Sequence, residues 1–305
     1  SIALTSSGTA GVDVGTIGTT GSLNSISMTS GTTLASDMDL GAITATGSQI
    51  STYTVNLAGT YGASSIGTLA AEGLGAVTIN ALGGAGTSFT TGDVSITGVA
   101  LAGAGNIGNI AITSADNVVI GGFATANVAN TTGSIGNYDV SLSGAFGAST
   151  LGNISVGDTT SADMGNITLT TTGSGGTSLT LGTVDTANGN IGNVTVTSAD
   201  QVVVGAITAA GAGKTVGNVS MTVTGTNAGG STLAAVTAPA SIGNITLSNA
   251  SDQDLTAADF VTANVGNVSL TSSGAGDVIV TDFGRVTGTM GTLTVVASAA
   301  NGNIA

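Results

Sequence analysis

The heptad Ile191-Gly192-Asn193-Val194-Thr195-Val196-Thr197 restricts what this chain can fold into more than any other stretch. It returns at Ile107-Gly108-Asn109, Met164-Gly165-Asn166, Val216-Gly217-Asn218, Ile242-Gly243-Asn244 and Val265-Gly266-Asn267. With degenerate copies included, its leading apolar residues are Leu23, Ile50, Leu74, Ile107, Ile135, Met164, Ile191, Val216, Ile242, Val265 and Met290. They lie 23 to 33 residues apart, about 27 on average. A fixed period of 20–50 residues marks a solenoid, a propeller or an array. After the Gly-Asn pair, Val194 and Val196 fall on one side of an extended chain and Thr195 and Thr197 on the other. That is the period-two pattern of a half-buried strand.

A second apolar-Gly-x-apolar element lies about halfway round each unit, as in Leu40-Gly41-Ala42-Ile43, Leu151-Gly152-Asn153-Ile154, Leu181-Gly182-Thr183-Val184 and Val204-Gly205-Ala206-Ile207. One unit therefore reads strand, polar turn, strand, polar turn, with no helical stripe between. A propeller blade needs four strands in about 40–45 residues, which this unit cannot supply. The pattern predicts an all-β fold: a single right-handed parallel β-solenoid of about twelve coils with a period of about 27 residues. It occupies 1–305 as one continuous array without a separate capping domain, the first four units being the most degenerate. At roughly 4.8 Å per coil, the rod would be on the order of 55–60 Å long.

Ile191 and Val194 are three apart, so both are buried only if the chain bends at Gly192-Asn193. Gly and Asn tolerate left-handed backbone angles, and a bend there is expected to use them. Stacked coils would place Asn109, Asn137, Asn166, Asn193, Asn218, Asn244 and Asn267 in one column. An amide both donates and accepts, so such a column can hydrogen-bond along its length. Asn166, Asn193, Asn218, Asn244 and Asn267 also match the Asn-x-Ser/Thr glycosylation signal, as do Asn130, Asn153 and Asn249. A ladder asparagine packed between coils would be closed to a sugar. That leaves Asn130 and Asn249, in turns, as the better glycosylation candidates.

Catalysis finds little to work with. Histidine and cysteine are absent, which removes the usual nucleophilic triads. The closest carboxylates, Asp37 with Asp39 and Asp252 with Asp254, lack basic and aromatic companions that would bind a sugar, and read as solvated turns. The chain is expected not to be an enzyme and to require no cofactor. Calcium is the ligand its chemistry suits best, since turn carboxylates and carbonyls are hard oxygen ligands. The candidates are Asp116, Asp158, Asp163 and Asp200. The nine-residue calcium-solenoid motif is missing; Gly274-Ala275-Gly276-Asp277 matches only a fragment of it, so no calcium ladder is expected.

A formal charge of -14, with Lys214 and Arg285 the only basic residues, opposes binding to nucleic acid or anionic membrane surfaces. No apolar run approaches the 20 residues of a membrane-spanning helix. The 41% hydrophobic content argues against disorder, and the single proline against collagen. Outward Thr pairs, Thr168 with Thr170 and Thr195 with Thr197, would form a flat hydroxyl and methyl array similar to the surface of solenoid ice-binding proteins.

The chain begins at Ser1 and not Met, so it is expected to be processed or to be a window on a longer repetitive protein. Written head after tail, Asn303-Ile304-Ala305 followed by Ser1-Ile2-Ala3-Leu4 restores the heptad pattern. Those seven residues are the candidate assembly interface, since open strand edges invite stacking and solenoids without polar caps associate.

These Gly-Asn-apolar-Thr/Ser repeats, with low charge and no cysteine, resemble the repetitive β-strand surface proteins of bacteria and archaea: adhesins, surface-layer proteins and extracellular fibre subunits. The resemblance covers nearly the whole chain and rests on repeat style. It implies an extracellular, cell-surface, structural role and supplies no functional residues. The expected protein is a self-assembling fibre subunit whose partner is itself, head to tail, or neighbouring fibres and surface glycans. The alternatives are an adhesin stalk or binding module, an ice-binding face included, and a surface-layer protein.

Overall fold

The computed structural model describes residues 1–32, 35–84, 86–98, 105–125, 133–157, 161–173, 176–226, 229–283, 285–298 and 302–305. They form strands and turns and no helix. The strands wind into a parallel β-solenoid of about ten turns with a period of about 26 residues, close to the twelve coils and 27 residues read from the repeat.

One turn shows the plan. Val194–Ser198 lies on a first face, Gln201–Val204 on a second and Ile207–Ala209 on a third. Each pairs in parallel with its equivalents in the turns before and after: Val194 with Ile167 and Val219, Val202 with Leu179, Ile207 with Val184 and Val236. We call each turn a rung. A rung thus has three strands, where the sequence pattern marked two clearly; the third strand is three residues long and carries too little alternation to stand out. In the early, degenerate part, Ile43–Gly59 and Leu69–Gly83 each run from the third face onto the first as one strand. A register shift between Ala45 and Gln49 absorbs the corner.

Alternation decides what is inside. On the first face, Ile110, Tyr138, Ile167, Val194, Val219, Ile245 and Val268 form one inward column, and Ile112, Val140, Leu169, Val196, Met221, Leu247 and Leu270 the next. The corner residues Leu74, Ile107, Ile135, Met164, Ile191 and Val216 bridge in parallel as a third. All are buried, in one hydrophobic cluster that runs from Leu4 to Val278. Each such Val, Ile or Leu contributes about 1.5–3 kcal/mol by leaving water. Aromatic side chains pack in pairs: Phe123 meets Tyr138 edge-on with ring centroids 6.1 Å apart, and Phe260 stacks on Phe283 at 5.2 Å.

All three tyrosines of the chain are buried. Burial pushes the phenols of Tyr53 and Tyr138 well above the usual tyrosine range. It does the same for Tyr61, helped by the hydrogen bond to Asp116 and by that carboxylate's charge. A raised folded-state value for an acid means that the native chain holds protons the unfolded chain has released. The tyrosine contribution is therefore intact below about pH 10, the unfolded value, and is lost as pH rises above it. Tyrosinate absorbance should rise together with loss of the β-sheet circular dichroism signal, in one step well above pH 10. A separate, earlier titration would show that the phenols are accessible in the native rod.

Candidate assembly surface and the asparagine corner

The Gly-Asn pair sits at the corner leading into the first face. Its seven asparagines stand in one column, and the bond between them runs from backbone to side chain. The N–H of Asn137 donates to Oδ1 of Asn109 at 3.0 Å, that of Asn166 to Asn137 at 3.0 Å, and that of Asn193 to Asn166 at 2.9 Å. Asn218, Asn244 and Asn267 continue at 2.9, 2.8 and 2.9 Å, and Thr292 closes the column on Asn267 at 2.9 Å. The cause lies in the bend. Both Gly217 N–H and Asn218 N–H point back at the preceding rung; Ile191 O takes the first at 3.0 Å, and the side chain of Asn193 takes the second. An Asn carbonyl reaches this position without charge. Adjacent carboxylates would repel at roughly 4.8 Å, costing about 1 kcal/mol per pair even in water.

Two expectations about this corner need correction. The ladder asparagines face solvent and are not enclosed between coils. Gly192 does not adopt a left-handed angle; it is there because rungs approach too closely for a Cβ. One placed on Gly192 would lie 2.6 Å from Asn166 Oδ1 and 2.8 Å from the carbonyl carbon and oxygen of Gly165. Gly165, Gly217, Gly243, Gly266 and Gly291 are crowded in the same way. The corner before the third face repeats the arrangement, a Cβ on Gly205 falling 2.5 Å from Gly182 O.

Replacing Asn193 by Ala leaves the Asn218 N–H to water at an exposed corner and should cost about 1 kcal/mol, read as a shift of the urea midpoint. Asn193→Asp keeps the acceptor, as a carboxylate between two neutral asparagines, and should cost less at neutral pH than at low pH, where protonation removes the charge-assisted bond. Equal losses in both variants at both pH values would contradict the acceptor role.

Other carboxylates serve the same rung-to-rung purpose. Asp93 Oδ1 accepts from Gly122 N–H at 2.7 Å, Asp254 from Asp277 N–H at 2.9 Å, and Asp277 from Asn303 N–H at 2.7 Å. Asp37 accepts from Ala63 N–H, and Asp39 from the Ser65 hydroxyl. Among the calcium candidates, Asp163 Oδ1 accepts from the backbone of Asn190 at 2.7 Å and from its amide at 3.1 Å. Asp116 and Asp200 are buried. Asp116 Oδ2 takes the Tyr61 hydroxyl and Gly83 N–H, both at 2.5 Å. Asp200 takes Gly173 N–H at 2.8 Å and the Thr177 hydroxyl. Each turn is pinned by Ser two residues earlier, whose Oγ accepts the Asp N–H at 2.9 Å in Ser114 and 3.0 Å in Ser198. The tripeptide Ser-Ala-Asp does not by itself mark them, since Ser161-Ala162-Asp163 carries it with an exposed carboxylate. Asp158 lies outside the described residues. No group of three metal-ligating side chains forms among the described residues.

Asn130 also lies outside the described residues. Asn249 is buried, and its Nδ2 donates to Gln253 O and Asp277 O, both at 2.9 Å. That amide is a structural clip holding two rungs, and in the folded chain it is closed to a sugar, contrary to the sequence-based expectation.

The end residues lie on different faces. Ile2–Ser6 is the first strand of the first face, pairing with Ser25–Ser30. Ile304 bridges Val278 on the second face, and Asn303 and Ala305 bond to Asp277 and Val278 beside it. The heptad read across the join gave Ile304 the corner place held by Ile191; the structure puts it on the second face, bridged in parallel to Val278. The last first-face strand, Leu293–Ala297, pairs on one side with Val268–Ser272. Met290, Leu293 and Val295 are 44%, 49% and 52% exposed, while Val265, Val268 and Leu270 one rung below are 4%, 1% and 5%.

The outward side of the first face carries two registered hydroxyl columns: Thr168, Thr195, Ser220, Thr246, Ser269, Thr294, and Thr170, Thr197, Thr222, Ser248, Thr271.

No family model, curated protein or solved structure matches this chain.

Proposed function

We propose that the protein is a non-catalytic structural rod of the cell surface that lengthens by stacking end to end into fibres. The carrying observation is the last described first-face rung: Met290, Leu293 and Val295 occupy core columns yet are exposed, and among the described residues Leu293–Ala297 pairs with a strand on one side only. Following the pairings along the first face, Ile2 belongs to the column of Leu293 and Leu4 to that of Val295. A second copy set on this rung would lay Ile2–Ser6 along Leu293–Ala297, with apolar residues facing the same core. The surfaces at the two ends differ, so the contact is heterologous and extends instead of closing.

The asparagine column supports the same polarity, since every Oδ1 in it reaches toward the following rung. Export to the surface follows from the composition and repeat style described above. Negative-stain microscopy over a range of protein concentrations tests the reading: fibre length should grow with concentration. Uniform short rods at every concentration would overturn it.

A further inference from the structure

We propose that the corner column is a site of N-linked sugar attachment, at Asn166, Asn193, Asn218, Asn244 and Asn267. Each is followed two residues later by Thr168, Thr195, Ser220, Thr246 or Ser269, completing the acceptor signal. In each, the next rung's N–H holds Oδ1. The amide nitrogen, Nδ2, is the atom that carries an N-linked sugar. It has no protein partner among the described residues, and all five side chains are exposed. The following Thr or Ser faces outward on the first face, so amide and hydroxyl share one surface.

The same molecule contains its own controls. Asn109 and Asn137 stand in the column but are followed by Ala111 and Asp139. Asn249 has the signal, but its Nδ2 is engaged by two carbonyls.

The chemistry is compatible with the ladder. An Nδ2–C1 bond forms to a sugar delivered as its diphosphate ester; the C1–O bond breaks, diphosphate leaves with the electron pair, and one amide proton is released. Oδ1 keeps its lone pairs and its bond to the next rung. Rungs about 4.8 Å apart leave no space for a branched chain on each, so occupancy falls on alternate members. This inference goes beyond the stacking reading and depends on it only in placing the chain outside the cell.

Intact mass and peptide mapping of protein isolated from its native cells provide the test. The expected result is whole sugar units on some of the five asparagines and none on Asn109, Asn137 or Asn249. Thr195→Ala should abolish the addition at Asn193, and Thr195→Ser should retain it, both without a change in melting temperature. A native chain with no sugar on the column overturns the inference, as does a sugar on Asn109 or one that persists on Asn193 in Thr195→Ala. Fibre length is measured separately, so failure of stacking and failure of glycosylation are told apart.

Discussion

Gly192→Ala should destabilise the rod by about 3 kcal/mol, the upper end of what a forced methyl costs in a packed interior. The new Cβ meets Asn166 Oδ1 at 2.6 Å and the Gly165 carbonyl carbon and oxygen at 2.8 Å. Removing the Asn166 side chain as well should not restore stability, because the Gly165 backbone remains in the way. Gly15→Ala provides the control. Gly15 stands in the column of Gly41 and Gly67, and a Cβ there meets nothing within 4 Å. Chemical denaturation of the three variants decides the matter. A Gly192→Ala midpoint equal to that of Gly15→Ala would show that rungs separate easily at the corner.

The repeat of Ile191 to Thr197 made the solenoid legible, because inward and outward residues alternate along each first-face strand and the heptad returns every 23 to 33 residues. The column of asparagines was legible because each follows the same apolar-Gly step, whatever the length of chain between copies. What the pair does there was not, since left-handed torsion and close approach both select glycine, and only the position of Gly165 relative to Gly192 separates them. Asn249 failed for a related reason. Its Asn-Ala-Ser signal is local, whereas the carbonyls of Gln253 and Asp277 that claim its amide include one from the following rung. Asn301-Gly302-Asn303-Ile304 reads like the corner Asn188-Gly189-Asn190-Ile191, and only the bridge to Val278, distant in sequence, places Ile304 on the second face.

Stacking predicts an asymmetric effect of end-rung substitutions. Leu293→Lys combined with Val295→Lys places two ammonium groups where a neighbour would bury them. Breaking the apolar contact and stranding the charges should weaken docking by at least about 3 kcal/mol, roughly 100-fold or more in affinity. The variant alone should remain as single rods. Mixed with wild-type protein as a minor component, it should still dock through Ile2–Ser6 and then present an end that accepts nothing. Mean fibre length, in subunits, should then fall toward the ratio of wild type to variant. Fibres formed by the variant alone, or lengths indifferent to its presence, would mean that growth uses another surface. Since Leu293 and Val295 are already exposed in the single rod, the folded stability of the variant should be little changed, which separates an assembly defect from a folding defect.

The register of the three faces bears on how such a molecule changes through descent. First-face anchors are separated by unequal lengths of chain, yet Val194, Val219, Ile245 and Val268 remain in one column, since turns and connections take up the difference. Duplicating one repeat would lengthen the rod by a single step and require no compensating change elsewhere, because each coil answers only to its two neighbours. Rod length is in that sense counted in gene segments, and relatives of this chain can differ by whole coils while every remaining contact stays the same.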